Sequence, residues 1–143
     1  MDENLFHITG QNRRAWNEIA SVRSKIFPPA EFFREGGITL GEHEVKMVRE
    51  IFGQIAGLRV LHLQCATGED TLSWAVLGAA ADGVDISDEQ IAIAQAKAAA
   101  AGLDARFCAA DIYNLPGALP AEWIGEGYDL VFTGGGAIVW LPD

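Results

Sequence analysis

The clearest chemical signal in this chain is a run of small residues after an apolar segment, with a carboxylate further on. Arg59-Val60-Leu61-His62-Leu63 leads into Gln64-Cys65-Ala66-Thr67-Gly68, and Asp85 follows in Gly83-Val84-Asp85-Ile86-Ser87. A tight turn of small residues lets backbone N–H groups approach a ligand. A helix start behind the turn adds a favourable dipole. An acid at the tip of the next strand can accept both hydroxyls of a ribose. Asp85 stands 21 residues after Gln64, close to the roughly 20 residues expected between turn and acid in such units. The pattern reads as the first half of a nucleotide-binding α/β unit.

Within the turn, Gly68 is the residue best suited to a positive φ or a close ligand approach. Gln64 has the reach to hydrogen-bond a ligand end that a glycine could not touch. His62, if neutral, accepts a hydrogen bond from an ammonium but brings no full negative charge. An inward-facing histidine satisfied by the core explains it equally well. A second strand-end acid, Asp111, begins Asp111-Ile112-Tyr113-Asn114-Leu115-Pro116. On its own it is also an ordinary turn aspartate.

These segments resemble the cofactor core of class I S-adenosylmethionine-dependent methyltransferases. That family carries Asp/Glu-x-Gly-x-Gly-x-Gly after its first strand. The matching positions here are His62, Gln64, Ala66 and Gly68, so only the last glycine is kept. The Leu-His-Leu-Gln-Cys form, continued by Gly68-Glu69-Asp70-Thr71-Leu72-Ser73, is similar to a subset of the family. The resemblance runs on through Asp111 and through Tyr128-Asp129-Leu130-Val131-Phe132-Thr133, the family's fourth strand. It covers residues 59–143, and 12–58 more loosely.

The resemblance implies S-adenosyl-L-methionine as cofactor and His62, Gln64, Cys65, Ala66, Gly68, Asp85, Ile86, Asp111, Ile112 and Thr133 as the residues around it. Asp85 would hold the ribose. Asp111 would receive the adenine amino group, with Ile112 packed on the ring. Thr133-Gly134-Gly135-Gly136 follows the fourth strand, where adenine-directed members carry Asp/Asn-Pro-Pro-Tyr. The absence of those residues argues against an adenine acceptor. Trp140 could wall an acceptor pocket or belong to the core. Arg14 and Trp16 would fold over the cofactor as an N-terminal lid, or simply pack. The reaction implied is direct methyl transfer to a small-molecule acceptor, and no general base is evident.

Two other readings stand beside it. One is a non-catalytic cofactor-binding or interaction module. The other is a nicotinamide-binding oxidoreductase domain. Gln64-x-Ala66-x-x-Glu69 does not supply the Gly-x-Gly-x-x-Gly turn of the latter, and Glu69 would repel its pyrophosphate.

The elements that must position these residues follow from periodicity. Residues 1–11 read as a loose terminus. Ala15, Ile19, Val22 and Ile26 recur at helical steps and predict a helix over 12–27 with that stripe buried. Pro28-Pro29 stops it. Residues 31–40 read as a loop. A second helix is expected over 41–55, burying Val45, Val48, Ile51, Phe52 and Ile55. Strands are expected at 59–64, 81–86, 105–110 and 128–132, with helices over 70–77 and from Ser87 to Ala101. Ser87 with Gln90 forms a capping-box signature. Strand–helix alternation means an α/β, Rossmann-like, doubly wound parallel sheet. The expected division is a helical segment over 1–58 and an S-adenosylmethionine-binding core over 59–143.

The family's sheet has seven strands, and this sequence stops just after the fourth. The expectation is a fragment, or a sheet completed by another chain. Strand four, or strand one, would then expose a long apolar edge able to self-associate.

Composition narrows the classes further. The chain has 143 residues, half of them apolar, and a formal net charge of −10. That suits one domain with a real core and argues against a nucleic-acid partner. Cys65 and Cys108 have neither metal-ligand spacing nor a disulfide framework. No apolar run reaches the ~18 residues of a membrane span. The amino terminus lacks the basic and apolar regions of a signal peptide, so the expected location is cytoplasmic and no membrane partner is expected.

Overall fold

The computed structural model describes residues 2–142. Met1 and Asp143, which end the two expected segments, lie outside the described residues. Four parallel strands, β1 (Arg59–Leu63), β2 (Ala80–Asp85), β3 (Arg106–Ala109) and β4 (Leu130–Phe132), pair in the order β3-β2-β1-β4. Chain order runs one way from β1 and then returns to its other side. The reversal puts a crevice at the carboxyl end of β1.

Helices cover both sheet faces. On one face Val60 and Ala81 pack with Val45 and Val48 of α3 (Glu42–Phe52) and Trp74 of α4 (Glu69–Val76). On the other, Leu61 and Val84 pack with Trp123 of α7 (Ala121–Glu126). A third cluster joins Phe33 of α2 (Ala30–Arg34), Leu72, Phe107 and the alanine-rich face of α5 (Asp88–Ala101). The short α6 (Leu115–Ala118) follows a single turn of 3-10 helix over Ile112–Asn114.

The amino end of the sheet is pinned by charge. Asp82, 2% exposed in β2, accepts two hydrogen bonds from Arg106 at 2.6 Å each and one from the Tyr128 hydroxyl at 2.8 Å. A buried carboxylate is tolerated only when paired and hydrogen-bonded in this way. The network ties β2 to the start of β3 and β4, far from the crevice.

Several expectations are corrected. The terminus expected to be loose is helical: α1 runs Glu3–Ile26, capped by the Asp2 side chain, which accepts from Asn4 N–H at 2.7 Å. The stripe expected to be buried on it faces outward, with Ile19, Val22 and Ile26 exposed. The face turned inward carries Trp16, Ala20, Arg23 and Phe27, the same spacing displaced by one residue. Polar contacts to α5 select it. Ser87 Oγ donates to Asn17 Oδ1 at 2.6 Å, and Arg13 pairs with Asp88 at 3.1 Å.

The expected 31–40 loop contains α2, and α3 ends at Phe52 rather than at 55. Ile51 and Phe52 are exposed. The edge is also shorter than expected. β1 lies between β2 and β4, and the β4 edge spans Leu130–Phe132 only. Cys65 follows β1 and Cys108 lies in β3, with β2 between those strands, and both are free thiols.

Candidate functional site

A cavity of about 440 Å3 opens at the carboxyl ends of β1, β2 and β3, a size suited to a small organic ligand. Each strand ends in residues that line it. β1 delivers His62, Gln64, Cys65 and Ala66; β2 delivers Asp85 and Ile86; β3 leads to Asp111 and Ile112. Thus nearly all of the residues singled out in the sequence converge on one space.

Asp85 is the hub of the floor. It is 7% exposed. Its Oδ2 accepts from Ala66 N–H at 2.8 Å and its Oδ1 accepts from Ser87 N–H at 2.9 Å. Burial raises its carboxyl above the ordinary value, opposed by those two N–H groups. Each carboxylate oxygen still has a lone pair for a ligand. Gln90, 1% exposed, also lines the cavity. Its amide nitrogen donates to Trp16 O at 3.3 Å, while its Oε1 has no partner. The expected capping box is therefore half formed. Ser87 Oγ accepts from Gln90 N–H at 3.1 Å, but the Gln90 side chain turns to α1 instead of back to Ser87.

The turn after β1 is strained. Gln64 and Ala66 have φ of 55° and 50°, a region that costs a non-glycine residue roughly 1–2 kcal/mol. Gly68 has φ 86°, and a Cβ there would lie 2.9 Å from Ala94 Cβ and from the Phe107 ring. Its hydrogen lets α4 start tight against α5 and β3. Gln64 Nε2 donates to Ala137 O at 2.9 Å, so its amide nitrogen latches the turn to the segment after β4.

His62 is 4% exposed. Its Nδ1 lies 2.8 Å from Thr71 Oγ1, and its ring packs on Phe132 with centroids 4.9 Å apart. Burial pushes its pKa down to about 3, so the imidazole is neutral near pH 7. Burial, with Asp85 and Glu69 nearby, holds the Cys65 thiol well above its usual range. Neither group is an acid or base ready for use at neutral pH.

Some expectations fail here. Gly68, expected beside the cofactor, does not line the cavity; it packs against Ala94 and Phe107. Thr133 is exposed and does not line the cavity; Gly134 and Gly135 do. Glu69 does not present a free charge to the turn. It is 5% exposed, pairs with the buried Lys97 ammonium, and accepts from Thr67 Oγ1 at 2.7 Å. Its repulsion of a pyrophosphate is cancelled by that cation. What remains against a nicotinamide cofactor is the side chains of Gln64, Ala66 and Glu69, where its turn would carry hydrogen.

The roof comes from distant parts of the chain. Trp16 and Trp140 meet edge to face at 5.1 Å between centroids. Asn12 Nδ2 donates to Trp140 O at 3.0 Å. Trp140 is half exposed and lines the cavity, so it is not a core residue. Arg14 is exposed and lies off the lining. Asp111 caps the Ile112–Asn114 turn by accepting from Tyr113 N–H at 3.0 Å, leaving its second oxygen for a ligand.

Sequence reasoning missed Arg23, Phe27, Thr39 and Gln90 as lining residues. All but Gln90 lie before the strand-one motif, and no local signal marks them. Among the described residues no group of three His, Cys, Asp or Glu side chains is arranged to hold a metal, and no helix is long and apolar enough to cross a membrane.

Residues 60–143 match the family described as a methyltransferase domain. No curated protein matches the chain. Among solved structures, one reported with the conversion of a disulfide bond into a thioacetal group during echinomycin biosynthesis is 40% identical, with a TM-score of 0.50. It covers 64% of this chain and 36% of its own. YcgJ from Bacillus subtilis is 21% identical with a TM-score of 0.51, covering 65% of this chain and 38% of its own. A SAM-dependent methyltransferase from Geobacter sulfurreducens, in complex with S-adenosyl-L-homocysteine, is 19% identical with a TM-score of 0.50. It covers 79% of this chain and 45% of its own. The chain therefore spans less than half the length of these structures, and the last two speak to fold alone.

Proposed function

Because the chain belongs to the methyltransferase domain family, with the class I S-adenosylmethionine-dependent fold, we propose that it supplies the cofactor-binding half of an enzyme that methylates a small-molecule acceptor. The observation that carries this reading is Asp85. It is a buried carboxylate at the tip of β2, held by the turn it faces and open to a cavity of about 440 Å3. The donor set fits the group. Asp85 and the unpartnered Gln90 Oε1 offer acceptors to ribose hydroxyls. Asp111 offers a free oxygen to an adenine amino group, and Ile86 and Ile112 offer apolar walls.

When bound, S-adenosylmethionine supplies a methyl group activated by its sulfonium. The chain's own residues do the rest by placement. Asp85 and Asp111 would hold the ribose and the adenine of the nucleoside, and the turn after β1 lines the same cavity. Trp16 and Trp140 keep water from that space. Gly134 and Gly135, without side chains, would leave room in the cavity for an acceptor beside the cofactor. Holding reactants in alignment is the main requirement of a reaction whose methyl donor is already activated. His62 stays neutral and bound to Thr71, so it orients rather than transfers protons.

The non-catalytic reading keeps one observation in its favour: Gln64 and Ala66 carry side chains where the family has glycine. Turnover of the methyl group by this chain, or by a longer one containing it, would exclude that reading. The direct test of the binding site is calorimetry with S-adenosyl-L-homocysteine. Asp85→Ala removes acceptors worth about 1.5–3 kcal/mol each when charged, so affinity should fall at least tenfold. Equal affinity in both proteins would sink the assignment.

A further inference from the structure

Arg23 enters the cavity from α1 and is the one arginine among its lining residues, which include no lysine. Among the described residues it forms no ion pair within 4.0 Å. Its Nε is buried and has no hydrogen-bond partner. The guanidinium carbon lies over the Phe27 ring at 4.1 Å from the centroid, a cation–π contact that holds it against the aromatic face. The nearby acids are already engaged. Asp70 accepts from Thr39 Oγ1 at 2.6 Å, Glu69 is paired with Lys97, and Asp85 holds Ala66 and Ser87. Arg23 is close enough to stabilise the charged forms of Asp70 and Asp85 without bonding to either.

A buried donor without an acceptor costs free energy unless a ligand supplies one. A planar guanidinium fixed against an aromatic face is suited to one ligand group above others, a carboxylate taken through two parallel N–H bonds. We infer that Arg23 is a carboxylate-binding residue of this cavity, reaching its ligand from α1. The inference rests on the methyltransferase reading for the identity of that ligand. The carboxylate belongs either to the amino-acid end of the cofactor or to an acceptor bound beside it. In both cases α1 recognises ligand as well as covering it.

Three probes separate the sources: S-adenosyl-L-homocysteine, methylthioadenosine (the same nucleoside thioether without the amino-acid end) and acetate. Calorimetry is run on the chain as it stands, with Arg23→Gln and Arg23→Lys. If the cofactor's carboxylate is the partner, Arg23→Gln weakens S-adenosyl-L-homocysteine about tenfold or more. Methylthioadenosine then binds within about twofold of the original, which also shows that the variant is folded. Arg23→Lys, keeping charge but not the planar fork, falls between the two. If an acceptor's carboxylate is the partner, S-adenosyl-L-homocysteine binds equally well to both proteins. Acetate titrated into its complex then binds the original chain and not Arg23→Gln. Unchanged binding of S-adenosyl-L-homocysteine and of acetate in Arg23→Gln would overturn the inference. Failure of the original chain to bind either nucleoside would instead count against the methyltransferase reading. Acetate titrated into the free chain would then decide for or against Arg23 on its own.

Discussion

Asp85 Oδ2 accepts a hydrogen bond from the Ala66 backbone at 2.8 Å, so the residue read as a ligand anchor also holds the turn that faces the ligand. Its other oxygen holds Ser87 N–H at the start of α5. A structural and a ligand-binding role thus meet in one carboxylate. Asp85→Asn keeps the size of the side chain but turns an NH2 toward one of those two N–H groups. The expected cost is about 1–3 kcal/mol of folding stability, read as a lower urea midpoint at unchanged slope. A variant as stable as the parent would show that the turn does not depend on this contact.

Ala66 itself is the next test. At φ 50° its methyl is in a strained region, and glycine is not. Ala66→Gly should raise stability by about 0.5–1 kcal/mol after the entropy cost of glycine in the unfolded chain. A melting temperature about 2–4 °C higher is expected for a chain of this size. No rise, or a fall, would mean the observed φ carries no strain.

The Glu69–Lys97 pair should behave as a buried ion pair. Both side chains are less than a tenth exposed. Lys97→Met leaves Glu69 charged and unpaired, and should cost about 3–5 kcal/mol. Adding Glu69→Gln to Lys97→Met should recover most of that loss, because no charge then remains buried. If Lys97→Met alone is neutral, the pair is not buried in solution.

His62 gives the fold a pH dependence with a definite sign. Its folded pKa is about 3, against an ordinary 6.5. The unfolded chain therefore binds the proton first. His62 contributes its full stability above pH 6.5 and loses it as the pH falls toward 3. The slope is of order 1 kcal/mol per pH unit in that window. The raised carboxyls of Asp70 and Asp85 act in the opposite sense at the acid end. The difference between the chain and His62→Gln, melted at pH 7.5, 6 and 5, isolates the histidine. Parallel curves would show that His62 is not buried neutral.

How much of this was legible beforehand depends on whether the cause is local. Residues 59–111 could be read because strand, small-residue turn, capped helix and acid-tipped strand each carry their own mark. Apolar runs and the Ser87 cap act within a few residues of themselves. The site's floor follows, since parallel strands in this order must end at one edge. Asp85, Asp111 and the turn therefore met where the pattern placed them.

The roof had no such mark. Asn12 and Trp140 are 128 positions apart, and nothing near either residue names the other. Glu69 reads locally as a charge at a helix start, and only α5, folded across it, brings Lys97 to neutralise it. The first helix shows the boundary most plainly. Its period was written in the sequence, because Ala15, Ile19, Val22 and Ile26 recur every three or four positions, with Trp16, Ala20 and Phe27 on the adjacent face. Periodicity determines that a helix forms and leaves open which face turns inward. The tertiary structure decided that phase, displaced by one residue, because Asn17 and Arg13 find partners on α5 only when Trp16, Arg23 and Phe27 point into the cavity.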